Sequence, residues 1–145
     1  MSVIHLNLRT FCHATEDAEK VQKAMTFASG IEDTTVTHSE GYHGNKILIM
    51  ECTLSRKADI RSFFRRLSKK DLNELLTTID QRMDEDGVFF FRLDKQKAFV
   101  EEMVLISGDD CIHARAKVES YPKRREKALE NAKVMLQEII DRQDK

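Results

Sequence analysis

The stretch Ile112-His-Ala-Arg-Ala-Lys-Val118 decides the fold, because small or apolar residues alternate in it with basic ones. An alternation with a period of two is typical of a β-strand that is buried on one face and solvated on the other. The residues expected on the solvated face are His113, Arg115 and Lys117. The turn Ser107-Gly-Asp-Asp110 precedes the strand, and before it Met103–Ile106 is apolar, so we predict a hairpin between the two apolar segments.

Similar patterns predict the other elements. Residues 3–9 alternate as a strand with Ile4, Leu6 and Leu8 inside, and Thr34–Ser39 and Lys46–Leu54 read as a hairpin. Helical spacing of apolar residues predicts four longer helices: one from an N-cap at Thr15 to Gly30, one across 56–67, one that starts at the capping box Ser68-Lys-Lys-Asp71, and one from Pro122 to the end. Between the last two, Val88–Leu93 reads as a strand, and Asp94 reads as the cap of a short helical turn across Lys95–Phe99. The order is β-α-β-β-α-α-β-β-β-α, which predicts an α+β fold: one domain over 1–145, with a largely antiparallel sheet and helices mainly on one face.

Composition narrows the class of protein. Hydrophobic residues make up 41% and charged residues 34% of the chain, which is typical of a folded domain. No apolar run is long enough to span a bilayer and no signal peptide is evident, so we expect a cytoplasmic protein without a membrane partner. The three cysteines have no C-x-x-C spacing, so we expect reduced thiols.

Charge is sorted along the chain, although the formal net charge is only −1. Residues 55–70 contain seven lysines and arginines against Asp59, and residues 113–127 contain six against two glutamates. Sorting of this kind favours a polyanionic partner. Within the first cluster, Arg61, Arg65 and Lys69 recur every four residues and form one ridge along a helix, although a basic helix face is often merely solvated.

The second cluster places Lys123, Arg124 and Arg125 at the start of the last helix. Cations are unfavourable there because the N-terminus of a helix carries partial positive charge. A phosphate bound at this end would satisfy both the free N–H groups and the cations, whereas local pairing with acidic residues is the alternative.

Two further surfaces could contact RNA. The outward strand faces carry basic residues with an occasional aromatic one, namely His5, Asn7, Arg9, Phe11, Phe90, Arg92, His113, Arg115 and Lys117. That mixture suits stacking and phosphate contacts with single-stranded RNA, provided that helices do not cover both sheet faces. The loop Gly41-Tyr-His-Gly44 offers Tyr42 and His43 for stacking, unless it is an ordinary hairpin turn.

Signals for catalysis are weak. Asp84–Asp86 together with Asp94 could gather a metal for a nuclease, and Cys12-His13 with Cys111 and His113 could form a soft-metal site. No P-loop, dinucleotide-binding or nucleophile-elbow pattern is present. We therefore expect a protein that is not an enzyme and uses no cofactor or metal.

Several ordered segments resemble one family. They are Phe11-Cys-His-Ala-Thr-Glu-Asp17 followed by Glu19-Lys-Val21, Glu40-Gly-Tyr-His-Gly-Asn45, Asp84-Glu-Asp-Gly87, Arg92-Leu-Asp-Lys-Gln96 and Tyr121-Pro-Lys-Arg-Arg-Glu-Lys-Ala-Leu129. They look like the signature segments of a small archaeal family of predicted RNA-binding proteins, also described as proposed exosome subunits. The family's fold is similar to that of the ribosomal protein of the large subunit that binds 5S rRNA. One departure is Lys46, where the family pattern has proline.

The resemblance implies a cytoplasmic archaeal protein that binds RNA, with RNA and subunits of an RNA-degrading complex as partners. The motif residues it carries over are His13, Thr15, Gly41, His43, Gly44, Asn45, Arg92, Asp94, Lys95, Gln96, Arg124 and Arg125.

We thus expect a non-catalytic RNA-binding protein that grips phosphates; the alternatives are a subunit that docks on an acidic protein and a metal-dependent nuclease. The predicted RNA contacts are Arg61, Arg65, Lys69, Arg115, Lys117, Lys123, Arg124, Arg125, Tyr42, His43 and Arg92. Of the two basic clusters, the one with Lys123–Arg125 is the better candidate for RNA contact. Its cations lie at the positive end of their own helix dipole, and they belong to a family motif.

Overall fold

The computed structural model describes residues 2–40, 44 and 46–143. In these ranges the elements are, in chain order, β1 (Val3–His13), α1 (Ala18–Ser29), β2 (Thr35–Glu40), β3 (Lys46–Leu54), α2 (Lys57–Arg65), α3 (Lys69–Arg82), β4 (Val88–Asp94), α4 (Lys95–Phe99), β5 (Cys111–Val118) and α5 (Arg125–Gln143). The strands form one sheet in the order β2-β3-β1-β5-β4, and all neighbours are antiparallel. The α+β class and the predicted order are confirmed, except that α4 and not a further strand lies between β4 and β5.

One face of the sheet forms the core. The register places Leu8 of β1 between Cys52 of β3 and Ala114 of β5, and all three side chains are buried. The helices α1, α2, α3 and α5 contact the sheet on this side, where the rings of Phe64 and Phe91 lie 6.0 Å apart. The helices therefore pack on one face, as predicted.

The segment Met103–Ile106 does not form the predicted hairpin with β5. It lies instead beside β4, where Leu105 makes a single bridge to Leu93 and the amide of Ile106 donates to the carbonyl of Arg92 at 2.9 Å. The reason is that β5 is already paired on both sides, with β1 and with β4. An internal strand has no free hydrogen-bonding edge for a third partner.

Side-chain caps begin two of the helices as the sequence predicts. The hydroxyl of Ser68 accepts a hydrogen bond from the amide of Asp71 at 3.1 Å at the start of α3. The carboxylate of Asp94 accepts from the amide of Lys97 at 3.0 Å at the start of α4. Each cap satisfies an amide that the helix itself leaves without a partner.

The limits of α1 differ from the prediction at one end only. Its N-cap is Asp17, which accepts from the amide of Glu19 at 3.0 Å, and Thr15 lies in the preceding turn. The carboxylate of Asp17 therefore replaces the hydroxyl that we expected as the cap. Gly30 ends the helix with a φ of 78°, the left-handed conformation that favours glycine.

The apolar stripe of α5 faces the core as predicted. Its buried residues are Ala128, Ala132, Met135, Leu136, Ile139 and Ile140. The remaining face is polar apart from the exposed Val134. Across 2–40, 44 and 46–143 no helix combines the length and the apolar character needed to cross a bilayer. At the other end of the sequence, the register of β1 shifts between Val3 and His5, so that Val3 is fully buried and Ile4 only partly.

Candidate nucleic-acid interface

The sheet face opposite the helices, called the open face below, is basic and partly aromatic. Strand alternation turns its side chains away from the core, and most of them are half-buried or exposed. Its basic and aromatic part is formed by His5, Asn7, Arg9 and Phe11 on β1, His113, Arg115 and Lys117 on β5, and Phe90 and Arg92 on β4. On β3 the same face carries Ile47, Ile49, Glu51 and Thr53, which lie opposite outward residues of β1. The prediction of RNA contacts on the strand faces required that helices leave one face of the sheet uncovered, and the open face meets this requirement.

A row of cationic and imidazole groups crosses the middle of the open face. The register places Arg9 opposite His113, and His113 opposite Arg92. Burial lowers the pKa of His113, and the charges of Arg92 and Arg9 lower it further, against a smaller opposing effect of Asp109. On its other side Arg9 pairs with Glu51 of β3, so one acidic residue borders the row.

Arg92 is oriented by the loop that precedes β5. Its Nη1 donates to the carbonyl oxygens of Ser107 and Gly108 at 3.3 and 3.2 Å, and it lies 3.3 Å from Oδ1 of Asp109. The side chain of Arg92 remains 41% exposed, so its guanidinium is fixed in position and still reaches solvent. Fixing the group in advance reduces the entropy that a ligand must remove on binding.

An aromatic ring lies at one end of this row. The guanidinium carbon of Arg9 is 5.5 Å from the ring centroid of Phe11, and the ring of His113 meets that of Phe11 edge-on at 6.3 Å. A guanidinium at such a distance is attracted by the ring face. Phe11 and Arg9 thus form one aromatic and cationic pair on β1.

A second pair joins β4 and β5. Phe90 lies directly opposite Arg115, and the guanidinium carbon of Arg115 is 5.6 Å from the ring centroid. The ring is 41% exposed, which is unusual for phenylalanine in a folded domain. On the other side of Arg115, Asn7 of β1 lies opposite it, so Phe90, Arg115 and Asn7 form a second row across the sheet. The side-chain amide of Asn7 donates to the hydroxyl of Thr53 at 3.0 Å.

The basic surface continues past the end of β5 into a groove of about 420 Å³, called the Tyr121 groove below. Its lining includes Lys117, Tyr121, Lys123 and Arg124, together with the acidic side chains of Glu85, Asp86 and Glu119. The ammonium of Lys117 donates to the carbonyl oxygen of Asp86. Two of the three residues of the cluster Lys123–Arg125 therefore border the open face.

Arg125 has a different role. The helix α5 begins at Arg125, and not at Pro122 as predicted, and Arg125 turns back toward the end of α3. Its Nη2 donates to the carbonyl oxygens of Asp80 and Met83 at 2.6 and 3.2 Å and lies 3.0 Å from Oδ1 of Asp80. A cation is favourable at the C-terminus of a helix, so α3 compensates the unfavourable position of Arg125 at the start of α5.

The first basic cluster also contains a structural arginine. Arg66 donates from Nη2 to the carbonyl oxygen of Ala28 at 2.8 Å, and from Nη1 to that of Phe27, at the end of α1. Burial lowers its pKa. Arg66 and Arg125 thus each cap the C-terminus of a helix distant in sequence.

The predicted ridge of Arg61, Arg65 and Lys69 does not run along one helix, because α2 ends at Arg65 and Lys69 is the first residue of α3. Both helices belong to the helical layer. Arg61 and Arg65 line a shallow groove between α2 and α5 together with Glu138 and Arg142. This places the ridge on the side of the molecule opposite the open face. The two basic clusters therefore do not merge into one surface.

The predicted stacking residues Tyr42 and His43 lie outside the described residues. Of their loop, the structure describes Gly44, which is exposed and has a φ of 75°.

One family motif contains a buried lysine, Lys95, whose ammonium lies between two more exposed carboxylates beside the open face. The ammonium of Lys95 lies 2.9 Å from a carboxylate oxygen of Glu16 and 2.7 Å from one of Asp110, and it donates to the carbonyl of Phe11 at 3.0 Å. Burial opposes the charge of Lys95, but the two carboxylates outweigh it and raise the pKa. With its side chain only 3% exposed, Lys95 ties together three segments and is not itself a surface contact.

Sequence reasoning missed one cation near this face. Arg82, in the last turn of α3, donates to the carbonyl of Phe90 at 3.4 Å and to the hydroxyl of Thr78 at 2.7 Å. It borders a cavity of about 480 Å³ together with Arg92 and His113. The helical pattern of α3 carries no signal that its last turn reaches the edge of the sheet.

The carboxylates suggested for a metal site are not gathered. Asp84 accepts hydrogen bonds from the amides of Asp86 and Val88 before β4, whereas Asp94 caps α4 at the far end of that strand. A strand of seven residues separates them by roughly 20 Å. In the described part of the chain, no group of three His, Cys, Asp or Glu side chains could hold a metal ion.

Several known proteins are similar to this chain in sequence and in fold. A family model described as RNA binding matches residues 5–118. RNA-binding protein PAB1135 of Pyrococcus abyssi is 36% identical over 143 residues, which cover 92% of this chain and 93% of that protein. Among solved structures, the DUF54 protein Mth689 of Methanothermobacter thermautotrophicus is 33% identical with a TM-score of 0.78, over 94% of this chain and 99% of that one.

The protein AF2318 of Archaeoglobus fulgidus, also of DUF54, gives a TM-score of 0.79 at 31% identity, over 94% of this chain and 99% of that one. These matches extend nearly from end to end, and the family model includes β1, β4 and β5, the strands that form the open face. The chain therefore belongs to this archaeal family of RNA-binding proteins.

Proposed function

We propose that this protein binds RNA through the open face and performs no chemistry on it. The observation that carries the proposal is that each phenylalanine of the open face lies against an arginine. The guanidinium of Arg9 contacts the ring of Phe11, and that of Arg115 contacts the ring of Phe90. An exposed ring offers a surface on which a base can stack, and the adjacent guanidinium can bind the neighbouring phosphate. Membership in an RNA-binding family supports the same conclusion.

The position of the cations supports phosphate contacts along this face. Arg9, Arg92, Arg115 and Lys117 belong to three successive rows of the sheet, because the register pairs Arg9 with His113, Asn7 with Arg115, and His5 with Lys117. Lys123 and Arg124 extend the basic surface beyond β5. Of the predicted phosphate contacts, Arg125 is engaged by the end of α3, so we assign it a structural role.

Binding without catalysis agrees with the chemistry of the face. Its side chains on β1, β4 and β5 that are named above are basic, aromatic or amide, and the carboxylates of Glu51 and Asp109 lie singly, one beside Arg9 and one beside Arg92. Hydrolysis of RNA by a metal-dependent nuclease needs carboxylates gathered around a cation. The alternative of a nuclease had relied on Asp84 and Asp94, which lie at opposite ends of β4.

The test is a titration of fluorescent oligouridine at several salt concentrations. We expect the logarithm of the affinity to fall linearly with the logarithm of the salt concentration, since each phosphate contact releases counterions. The double variant Arg9→Gln/Arg115→Gln should weaken binding and lower the slope by about 1.4, because each contact with a single strand contributes about 0.7. The matched control is Arg61→Gln/Arg65→Gln, which removes the same charge from the helical side.

The two double variants give opposite outcomes for the two surfaces. Loss of affinity in the open-face variant with retention in the helical-side variant supports the proposal. The reverse result would place RNA on the ridge and overturn it. RNA recovered intact after incubation with magnesium or manganese supports binding without hydrolysis, and cleavage contradicts it.

A second role is favoured by the separation of the ridge from the open face. We propose that Arg61 and Arg65 dock on an acidic surface of a protein, in keeping with the association with an RNA-degrading complex that the family resemblance implies. The ridge stays accessible when RNA occupies the sheet, since the two lie on opposite sides of the helical layer. A partner that is retained after RNase treatment and lost in Arg61→Glu/Arg65→Glu supports docking, whereas a partner that is lost after RNase treatment contradicts it.

The likeness of the fold to that of the ribosomal protein that binds 5S rRNA stays a prediction.

A further inference from the structure

Tyr121 is unusually exposed for an aromatic residue. Its relative exposure is 92%, the highest among the exposed large hydrophobic side chains of the described chain. It lies three residues after the end of β5 and lines the Tyr121 groove together with Lys123 and Arg124. Folding gains little from a ring in this position, because apolar area stabilises the protein only when it is removed from water.

The Tyr121 groove is continuous with the open face. Along β5, His113, Arg115 and Lys117 occupy successive outward positions, and Lys117 also lines the groove. At about 3.4 Å per residue, His113 and Lys117 are separated by roughly 14 Å along the strand. Aromatic rings therefore occur near the start of this line at Phe11, beside its middle at Phe90, and beyond its end at Tyr121.

The groove suits a nucleotide better than a bare anion. Its cations Lys117, Lys123 and Arg124 can bind a phosphate, while the carboxylates of Glu85, Asp86 and Glu119 would repel a second one. Carboxylates do accept hydrogen bonds from the N–H groups of bases, such as the amino group of cytosine or the ring N–H of uracil. A phosphate on the basic wall and a base on the Tyr121 ring would satisfy both parts of the lining.

We propose that the bound RNA is single-stranded and runs along β5, with one base stacked on Phe90 and another base of the same strand stacked on Tyr121. This inference rests on the proposed function and adds the substrate class, the path of the strand and a second stacking site. In a duplex the bases are already stacked on one another, so isolated rings such as Phe90 and Tyr121 can be used only by unpaired bases.

The experiment measures affinity by fluorescence anisotropy with labelled oligouridines from about four to about twelve nucleotides long. We compare the unmodified protein with Tyr121→Ala, Tyr121→Phe and Phe90→Ala. Tyr121→Ala should bind the shortest oligomers normally and lose about ten- to hundredfold in affinity for the longest ones. Tyr121→Phe keeps the ring and should behave as the unmodified protein at every length, whereas Phe90→Ala should lose affinity at every length.

The outcomes separate this inference from the proposed function. If the unmodified protein binds no oligomer, the proposed function fails and the inference with it. If it binds but Tyr121→Ala matches it at every length, or loses equally at every length, the inference is overturned and the open face stands. An unlabelled duplex that competes as well as the single strand overturns the assignment of substrate class. Thermal unfolding of each variant checks that a loss of affinity is not a loss of folding.

Discussion

Arg125 joins two helices that are distant in sequence, because its Nη2 lies 3.0 Å from the carboxylate of Asp80 at the end of α3. The same nitrogen donates to the carbonyl oxygens of Asp80 and Met83. This contact distinguishes Arg125 from its neighbour Arg124, which is exposed and lines the Tyr121 groove. Two adjacent arginines of one motif thus have different roles.

We predict that Arg125→Ala lowers the free energy of unfolding by about 1–3 kcal/mol, the usual cost of removing a charged hydrogen-bond donor from its acceptors. Arg124→Ala should change that free energy by less than about 0.5 kcal/mol, as exposed substitutions usually do. RNA affinity should fall for Arg124→Ala only. Urea unfolding and oligouridine titration measure the two effects, and equal stability of the two variants would contradict the assignment.

The sequence predicted the open face well, because strand alternation is a local property. The alternation in Ile112–Val118 and in β1 indicated which side chains point outward, and Ser68 with Asp71 indicated the start of α3. What stayed open was whether helices cover both faces. That depends on how elements pack, which a local pattern does not report.

The roles of individual arginines could not be read from the sequence. Arg66 and Arg125 donate to carbonyl oxygens 38 and 45 residues away, those of Ala28 in the last turn of α1 and Asp80 in the last turn of α3. A charge cluster in the sequence looks the same whether its members face solvent or another helix. The hairpin predicted for Met103–Ile106 failed for a similar reason, since the pairing of β5 with β4 on one side and β1 on the other is decided by the whole sheet.

The cluster of Lys95, Glu16 and Asp110 predicts a dependence of stability on acid. Lys95 donates a hydrogen bond to Asp110 and holds the pKa of that carboxyl below its ordinary value of 3.8. The unfolded chain therefore takes up this proton more readily, so the contribution of Asp110 is complete above pH 3.8 and is lost as the pH falls through the lower value in the folded protein.

We expect the unmodified protein to lose more stability between pH about 6 and pH about 3 than Asp110→Asn does, because the variant has no proton to bind at this position. Urea unfolding at a series of pH values gives the two curves. Parallel curves would show that the contact between Lys95 and Asp110 contributes nothing to folding in acid. At pH 7 the variant should be the less stable of the two, since Lys95 then keeps only one carboxylate partner, Glu16.

Gly87 and Gly30 provide a matched pair for the packing of α5. Both have a left-handed φ, 77° and 78°, so alanine is strained by a similar amount, about 1–2 kcal/mol, at either position. A Cβ on Gly87 would also lie 3.0 Å from the Cβ of Ala128, whereas one on Gly30 would meet only the end of the Arg66 side chain at 3.5 Å.

We predict that Gly87→Ala destabilises the protein by about 1–3 kcal/mol more than Gly30→Ala does, since the tighter contact requires a shift of α5. Chemical unfolding of both variants measures the difference. Equal losses would mean that α5 moves away from the turn at little cost.

His113 offers a spectroscopic test of the open face that does not depend on affinity. Its pKa is lowered by burial and by the charges of Arg92 and Arg9, so the unfolded chain binds a proton at this position before the folded protein does. Its contribution to stability is therefore complete above the ordinary value of 6.5 and declines as the pH falls toward the lower value.

A phosphate bound beside Arg9 and Arg92 would neutralise part of the charge that lowers the pKa of His113. We predict that saturating oligouridine raises the pKa of His113, and that Arg92→Gln raises it in the free protein. An NMR titration of the imidazole protons follows both shifts, with His38 on the edge strand β2 as the internal control. If oligouridine binds and shifts neither histidine, the RNA lies on a surface other than the open face.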